Sequence, residues 1–164
     1  MVFLLHQTSV ATPFVLKHFT QDNGFIYPSA TAIEKDKLGY LWISSQDGLS
    51  RFDGYRFKTF TKIPHQKNSL GNNFIWDLAH DGEDNLWLAH RSGISKHSFQ
   101  TNSFTNYNIL HPNKTNNNEC NAIEIDDFGR VWLGTATEGL QMYDPVNNKM
   151  STVELSPPAS TSRP

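Results

Sequence analysis

Three tryptophans, Trp42, Trp87 and Trp132, stand 45 residues apart, and the residues around each of them repeat in register. A period of 20–50 residues constrains the fold before any local reading does. Each unit must be one supersecondary element that buries its apolar face only against a neighbouring unit. An aspartate lies six positions ahead of each Trp (Asp36, Asp81, Asp126) and a turn-forming residue three ahead (Gly39, Asp84, Gly129). Aliphatic residues flank each Trp: Leu41 and Ile43, Leu86 and Leu88, Val131 and Leu133. Six positions beyond the Trp, or seven in the third unit, a glycine precedes another aliphatic: Gly48-Leu49, Gly93-Ile94, Gly139-Leu140.

Within each unit, apolar residues alternate with period 2 over short stretches bounded by Gly, Asp and Asn, the pattern of strands joined by tight turns. Four strands fit each unit: 30–35, 40–44, 49–52 and 56–60; then 75–79, 85–89, 94–98 and 103–107; then 121–125, 130–134, 140–143 and 149–153. No stretch sustains a helical period, so the chain is expected to be all-β. Four antiparallel strands in about 45 residues is the dimension of a propeller blade. The expected architecture over 13–153 is a partial β-propeller of about three blades, 30–60, 75–107 and 120–153. The Trp of each second strand would fill the gap between blades. Each aspartate would accept hydrogen bonds from the turn it opens, and a glycine would supply its positive φ. Asp36, Gly39, Trp42, Gly48, Asp81, Trp87, Gly93, Asp126, Gly129, Trp132 and Gly139 therefore read as structural, because a residue repeated in every unit points to structure.

Composition narrows the classes. Charged residues are 18% of the 164, against a usual figure of about 25%, and aromatics reach 12%. A net charge of −2 with Lys and Arg placed singly leaves no basic stripe for a phosphate backbone, so nucleic acid is not an expected partner. The longest apolar run, Val2-Phe3-Leu4-Leu5, is too short for a membrane span. A single cysteine, Cys120, excludes an intrachain disulfide framework and a multi-cysteine zinc site. Residues 1–12 read as a degraded or truncated signal-like segment, ending near Ser9-Val10-Ala11 but lacking a positive start and broken by His6. The Ser-, Thr- and Pro-rich stretch 154–164 reads as a disordered tail.

Ligands are sought on loops held by a rigid scaffold. Here these are the connections 61–73 and 108–118 and the loops 45–47, 90–92 and 135–138, all expected on one face. Trp76 is the tryptophan off the 45-residue register. With Asn72, Asn73 and Tyr27 it forms a candidate stacking and hydrogen-bonding surface for a sugar. His80, His90 and His97 fall in one unit without metal-ligand spacing, so no metal is expected. Glu119, Glu124 and Glu138 are candidates for the carboxylate pair of a glycosidase. No phosphate loop, nucleophile elbow or Cys–His arrangement is present, so neither a catalytic residue nor a cofactor is assigned.

The run Asp36-Lys-Leu-Gly39-Tyr-Leu-Trp42-Ile-Ser-Ser-Gln-Asp-Gly48-Leu-Ser-Arg-Phe52-Asp-Gly54 resembles the two-component regulator propeller repeat. Asp126-Asp-Phe-Gly129-Arg-Val-Trp132-Leu-Gly-Thr135, followed by Gly139-Leu140, is similar to it. The second unit departs further, with Asp84-Asn85 in its turn and His90 in place of Thr. The resemblance implies the periplasmic or extracytoplasmic sensor region of a bacterial signalling protein, ahead of a membrane helix and a histidine kinase or diguanylate cyclase, with oligosaccharides as frequent inputs. The expected function is thus a non-catalytic sensing fragment holding the N-terminal few blades. The alternatives are a carbohydrate-active propeller fragment and a protein-interaction propeller assembled from several chains.

Phe14-Val-Leu-Lys-His-Phe19-Thr resembles the fourth-strand stretch Tyr55-Arg-Phe-Lys-Thr-Phe60-Thr, and so reads as an unpaired N-terminal strand that would complete the last blade of a ring. Three units are fewer than the four or more of a closed propeller. Baring even ~300 Å² of apolar surface at one blade face would forfeit about 7–8 kcal/mol, comparable to a domain's net stability of roughly 5–15 kcal/mol. Marginal stability, self-association or further blades as partners are therefore expected.

Overall fold

The computed structural model describes residues 19, 24–25, 29–112 and 117–154. The signal-like segment, most of the N-terminal strand, Tyr27 and nearly all of the tail lie outside the described residues. Every regular element among the described residues is a strand. They are β1 (Ala30–Lys35), β2 (Leu41–Ser45), β3 (Leu49–Phe52), β4 (Phe57–Phe60), β5 (Ile75–His80), β6 (Asn85–His90), β7 (Gly93–Ser98), β8 (Ser103–Tyr107), β9 (Cys120–Ile125), β10 (Val131–Thr135), β11 (Leu140–Asp144) and β12 (Lys149–Thr152). They form three four-stranded sheets in chain order, each an antiparallel meander. The all-β, three-blade expectation holds.

Strand ends differ from the sequence reading by one residue, for local reasons. Tyr40 and Arg130 belong to turns, because their N–H groups donate to Asp36 Oδ1 and Asp126 Oδ1 (both 3.0 Å). Arg56 likewise stays in a turn, its N–H held by Asp53 Oδ1 at 2.7 Å.

Strand β1 lies beside β5 and β5 beside β9, so the first strand of each blade is innermost. Hydrogen bonds tie these inner strands across the blades: Thr31 Oγ1 donates to Ile75 O (2.8 Å) and Ile123 N–H to Asp77 Oδ2 (3.0 Å). Each gap between blades holds its own core. Trp42, Leu49, Leu70, Ile75 and Leu86 fill the first, and Trp87, Ile94, Cys120, Val131 and Tyr143 the second. Burial pushes the Cys120 thiol up to about 12, so it packs as a small neutral apolar group.

The repeated aspartate and tryptophan are joined by a bond. Asp36 Oδ1 accepts the N–H groups of Leu38 and Tyr40 while its Oδ2 accepts the Trp42 indole N–H at 2.8 Å. Asp126 does the same for Phe128, Arg130 and Trp132, again with 2.8 Å to the indole. In blade 2 the Asn85 side-chain amide takes Asp81 Oδ2 instead, at 2.5 Å. Gly39 (φ 89°) and Gly129 (φ 75°) close these turns; blade 2, with Asp84 there, uses Gly82 (φ 77°). Gly93 is required on steric grounds as well, since a Cβ there would lie 2.3 Å from Tyr107 O.

Trp42 and Trp87 each point into the next blade and meet an aromatic ring on its third strand. Trp42 packs on His97 (5.1 Å between centroids) and stacks on Phe99 (5.3 Å, 8° between planes), and Trp87 packs on Tyr143 (5.6 Å). Phe52, His97 and Tyr143 hold equivalent places, each paired across from the aliphatic that precedes its Trp. Trp42 and Trp87 are buried. Trp132, on the outer face of blade 3, is half-buried with the Arg130 guanidinium over its ring at 5.6 Å.

Candidate functional site: the loop-face cleft

The connection between blades 1 and 2, the β6–β7 turn and the segment leaving β8 converge on one cleft of about 520 Å³. Its walls carry Lys62, His65 and Lys67 from the first segment, Ser92 from the turn, Asn106 from β8 itself, and Asn108 and Asn118 from the segment leaving it. Its floor is Gly71 over His90.

The floor is a closed hydrogen-bond chain. Ser92 N–H donates to His90 Nδ1 (3.2 Å), so that nitrogen is the acceptor and Nε2 carries the hydrogen toward Ser95 Oγ (2.7 Å). Ser95 Oγ donates in turn to Asn106 Oδ1 (2.6 Å), and Asn106 Nδ2 to Ser69 O (3.1 Å). Burial, reinforced by the nearby Lys62 cation, holds His90 down at about 4, so the ring is neutral and its tautomer is set by the chain. Gly71 is glycine for contact rather than conformation: a Cβ there would sit 2.8 Å from Asn106 Oδ1 and 2.9 Å from His90 Nε2. The result is a rigid polar floor beneath walls rich in amide, hydroxyl and ammonium groups, the equipment for holding a polar ligand.

Of the residues singled out in the sequence, Asn72 and Asn73 follow the floor residue Gly71, but neither they nor Trp76 line the cleft. Asn72 Oδ1 accepts the Phe74 N–H (2.9 Å) and Asn73 Oδ1 the Lys62 N–H (2.6 Å), so both shape the connection that carries the Lys62 wall. Trp76 is half-buried, its ring 4.6 Å from that of Phe74 and its indole N–H donated to Glu119 Oε1 at 3.0 Å. Tyr27 lies outside the described residues. The other two candidate carboxylates are also engaged. Glu138 is buried 3.5 Å from His111 Nδ1, and Glu124 Oε1 accepts the Ile125 N–H at 3.2 Å. Among the described residues no three His, Cys, Asp or Glu side chains are grouped to hold a metal ion, and no helix is long and apolar enough to cross a membrane. The sequence reading named the loops 61–73, 90–92 and 108–118 that carry most of this lining, but assigned none of the wall and floor residues individually, because no motif marks them. The one available signal was that His90 replaces the Thr of the repeat.

Residues 69–92, which run from the cleft's wall through its floor and the second Trp, match the family model described as two component regulator propeller. The match falls on the unit whose turn departs most from the 45-residue frame. "Histidine kinase P4" of Formosa agariphila is 42% identical over 57 residues, which are 35% of this chain and 4% of that protein. Among solved structures, the extracellular domain of hybrid two component system BT3049 from B. thetaiotaomicron superposes with a TM-score of 0.73 at 23% identity, covering 84% of this chain and 20% of that one. Virginiamycin B lyase from Staphylococcus aureus superposes with a TM-score of 0.61 at 12% identity, over 82% of this chain and 44% of that one. The chain thus spans a small part of the proteins it matches, and its fold is shared by an extracellular domain of a two component system and by a lyase. Residues 69–92, in the second of the three blades, carry the two-component regulator propeller repeat.

Proposed function

We propose that this chain is a non-catalytic, ligand-recognising part of an extracytoplasmic sensor propeller, and that the loop-face cleft receives an oligosaccharide. The observation that carries the reading is the cleft itself. Three segments from two blades place hydroxyl, amide and ammonium groups around one opening of about 520 Å³, over a floor whose hydrogen bonds are already made. A pyranose offers hydroxyl groups in fixed directions, and pre-set polar partners recognise these with little ordering cost. Sensing then requires only that the bound ligand favour one arrangement of the blades over another. The Trp132 face of blade 3 and the Phe52 face of blade 1 repeat the two halves of the contact made inside the chain. They take the neighbouring blades of a longer propeller, or of a second copy.

Ligand-observed NMR of the chain with a panel of neutral and acidic oligosaccharides tests this reading. Binding by at least one member, lost in Asn108→Ala with the fold unchanged, is expected. No binding across the panel, or binding indifferent to Asn108→Ala, overturns it. Trp76→Ala run in parallel locates the edge of the site: loss of binding extends it to Trp76, whereas retention confines it to the cleft.

A further inference from the structure

Although the whole chain carries a net charge of −2, its charges are segregated along the sequence. The stretches 54–76 and 85–118 contain no aspartate or glutamate, yet they hold seven of the fourteen Lys and Arg residues. All the lining residues of the cleft come from these two stretches, so its walls carry cations and neutral hydrogen-bonding groups with no carboxylate among them. Lys62 and Lys67 are exposed, and the ion pairs among the described residues involve neither of them. Glu119 and Glu138, in loops of the same face, are engaged by Trp76 and His111, and most of the other acids lie away from it. Asp36, Asp81, Asp84 and Asp126 occupy the turns after the first strands, and Glu34, Asp77 and Glu124 lie on the inner strands.

We infer that the cleft selects an acidic oligosaccharide, one bearing a carboxylate or sulfate that sits between Lys62 and Lys67 while Asn108 and Asn118 face its ring hydroxyls. This rests on the proposed function and adds the ligand's charge. Two unpaired ammonium groups above a neutral floor make a local positive field that a neutral saccharide does not exploit, and a second cation nearby would raise the cost of leaving the site empty of an anion. The floor cannot supply that charge itself. His90 accepts the Ser92 N–H at Nδ1, a bond that a doubly protonated ring would break. The anion is therefore recognised by the two lysines alone, as point charges without the fixed fork of an arginine, while the amides orient the ring.

Isothermal titration of the chain against hexagalacturonate, its fully methyl-esterified form, a chondroitin sulfate hexasaccharide and cellohexaose separates the possibilities. One acidic oligosaccharide is expected to bind at least about tenfold more tightly than the ester or cellohexaose, less tightly as salt is raised. A Lys62→Gln/Lys67→Gln double variant, both positions being exposed, should lose about tenfold in that affinity, and Lys62→Arg/Lys67→Arg should retain it. Hexagalacturonate binding would assign a carboxylate; chondroitin sulfate binding without it would assign a sulfate. If the neutral saccharides bind as tightly, or the Gln variant is unaffected, the charge selection is wrong and the cleft reading stands. If none of the four binds, the inference and the proposed function fall together.

Discussion

His90 and His97 lie seven residues apart on adjacent strands of blade 2, and both are buried and held at about 4 mainly by burial. Their surroundings are opposite. His90, under the cleft, has both ring nitrogens bonded within a chain that runs from Ser92 to Ser69. His97, in the joint between blades 1 and 2, makes no hydrogen bond of good geometry at either nitrogen, and the nearby Asn102 side chain, which favours the charged ring, offsets only part of the effect of burial. It is surrounded by the rings of Trp42, Phe60, Phe99 and Phe104 at 4.7–5.7 Å, and the Lys58 and Arg51 cations help to keep it uncharged. In the equivalent places stand Phe52 and Tyr143, and the Tyr143 hydroxyl is satisfied by Asn148 Oδ1 at 2.8 Å. The same side chain thus serves as a polar organiser in one region and as a plain aromatic filler in the other. Surroundings decide the role, not residue type or burial.

Replacement by phenylalanine should separate the two most sharply. His90→Phe strands the Ser92 N–H and the Ser95 and Asn106 groups in a buried place, at an expected cost of about 3–4 kcal/mol. His97→Phe restores the ring found at the equivalent place in blade 1 and should change stability at neutral pH by less than about 1 kcal/mol. Urea unfolding of the two variants measures this, and equal losses would break the comparison.

Acid sharpens it next. An unfolded histidine takes up its proton near 6.5, whereas both folded histidines do so only near 4. The unfolded chain therefore binds more protons between these values, so stability is level above about pH 6.5 and falls as pH drops toward 4. Each histidine accounts for roughly 3 kcal/mol of that fall. His97→Phe should remove its share and leave the His90 share; a slope unchanged in His97→Phe would show that the joint does not exclude the proton.

Removing the clamp behind the joint comes third. Asp36→Ala frees the Trp42 indole that packs on His97 and should cost about 2–3 kcal/mol, while Asp81→Ala, with no indole to hold, should cost nearer ~1 kcal/mol. Thermal unfolding that ranks them in the reverse order would remove the aspartate–tryptophan bond from the account of the joint.

The smallest effect is a control. Asp126 is held down at about 2: desolvation pushes it up, but the hydrogen bonds from Trp132, Arg130 and Phe128 outweigh this. Its contribution is present above pH 3.8 and is lost only toward pH 2, so the clamp of blade 3 stays intact through the histidine window. A carboxyl titration by NMR with a midpoint near 4 would assign part of the acid loss to this clamp.

The blades were legible because three units state the same pattern, and a pattern repeated at Trp42, Trp87 and Trp132 does not depend on any one residue. The joint was legible only in half. Trp42 and Trp87 announce a ring to be covered, but the ring that covers each lies 55 or 56 residues later and varies in type, as His97 or Tyr143. The positions 52, 97 and 143, spaced by 45 and 46, are visible once apolar and aromatic-like groups are counted together, and a histidine read only as a titratable group hides them. The cleft was the least legible part. Its walls come from connections that do not repeat, and the bond that fixes His90 depends on a Ser95 and an Asn106 brought together by pairing of β7 with β8. Trp76 drew attention as the tryptophan out of register, yet its indole is engaged by Glu119 at the next blade.

The central claim is that recognition takes place on the face where the blade connections meet, over the His90 floor, and not on the face of the aspartate turns. A two-dimensional amide NMR titration of the isotopically labelled chain, using the saccharide bound most tightly in the panel, tests it directly. Shifts concentrated at 62–71, 90–95 and 106–108, with the turns at 36–39, 81–84 and 126–129 still, are predicted. Shifts concentrated at those turns, with the floor residues unmoved, would contradict the account.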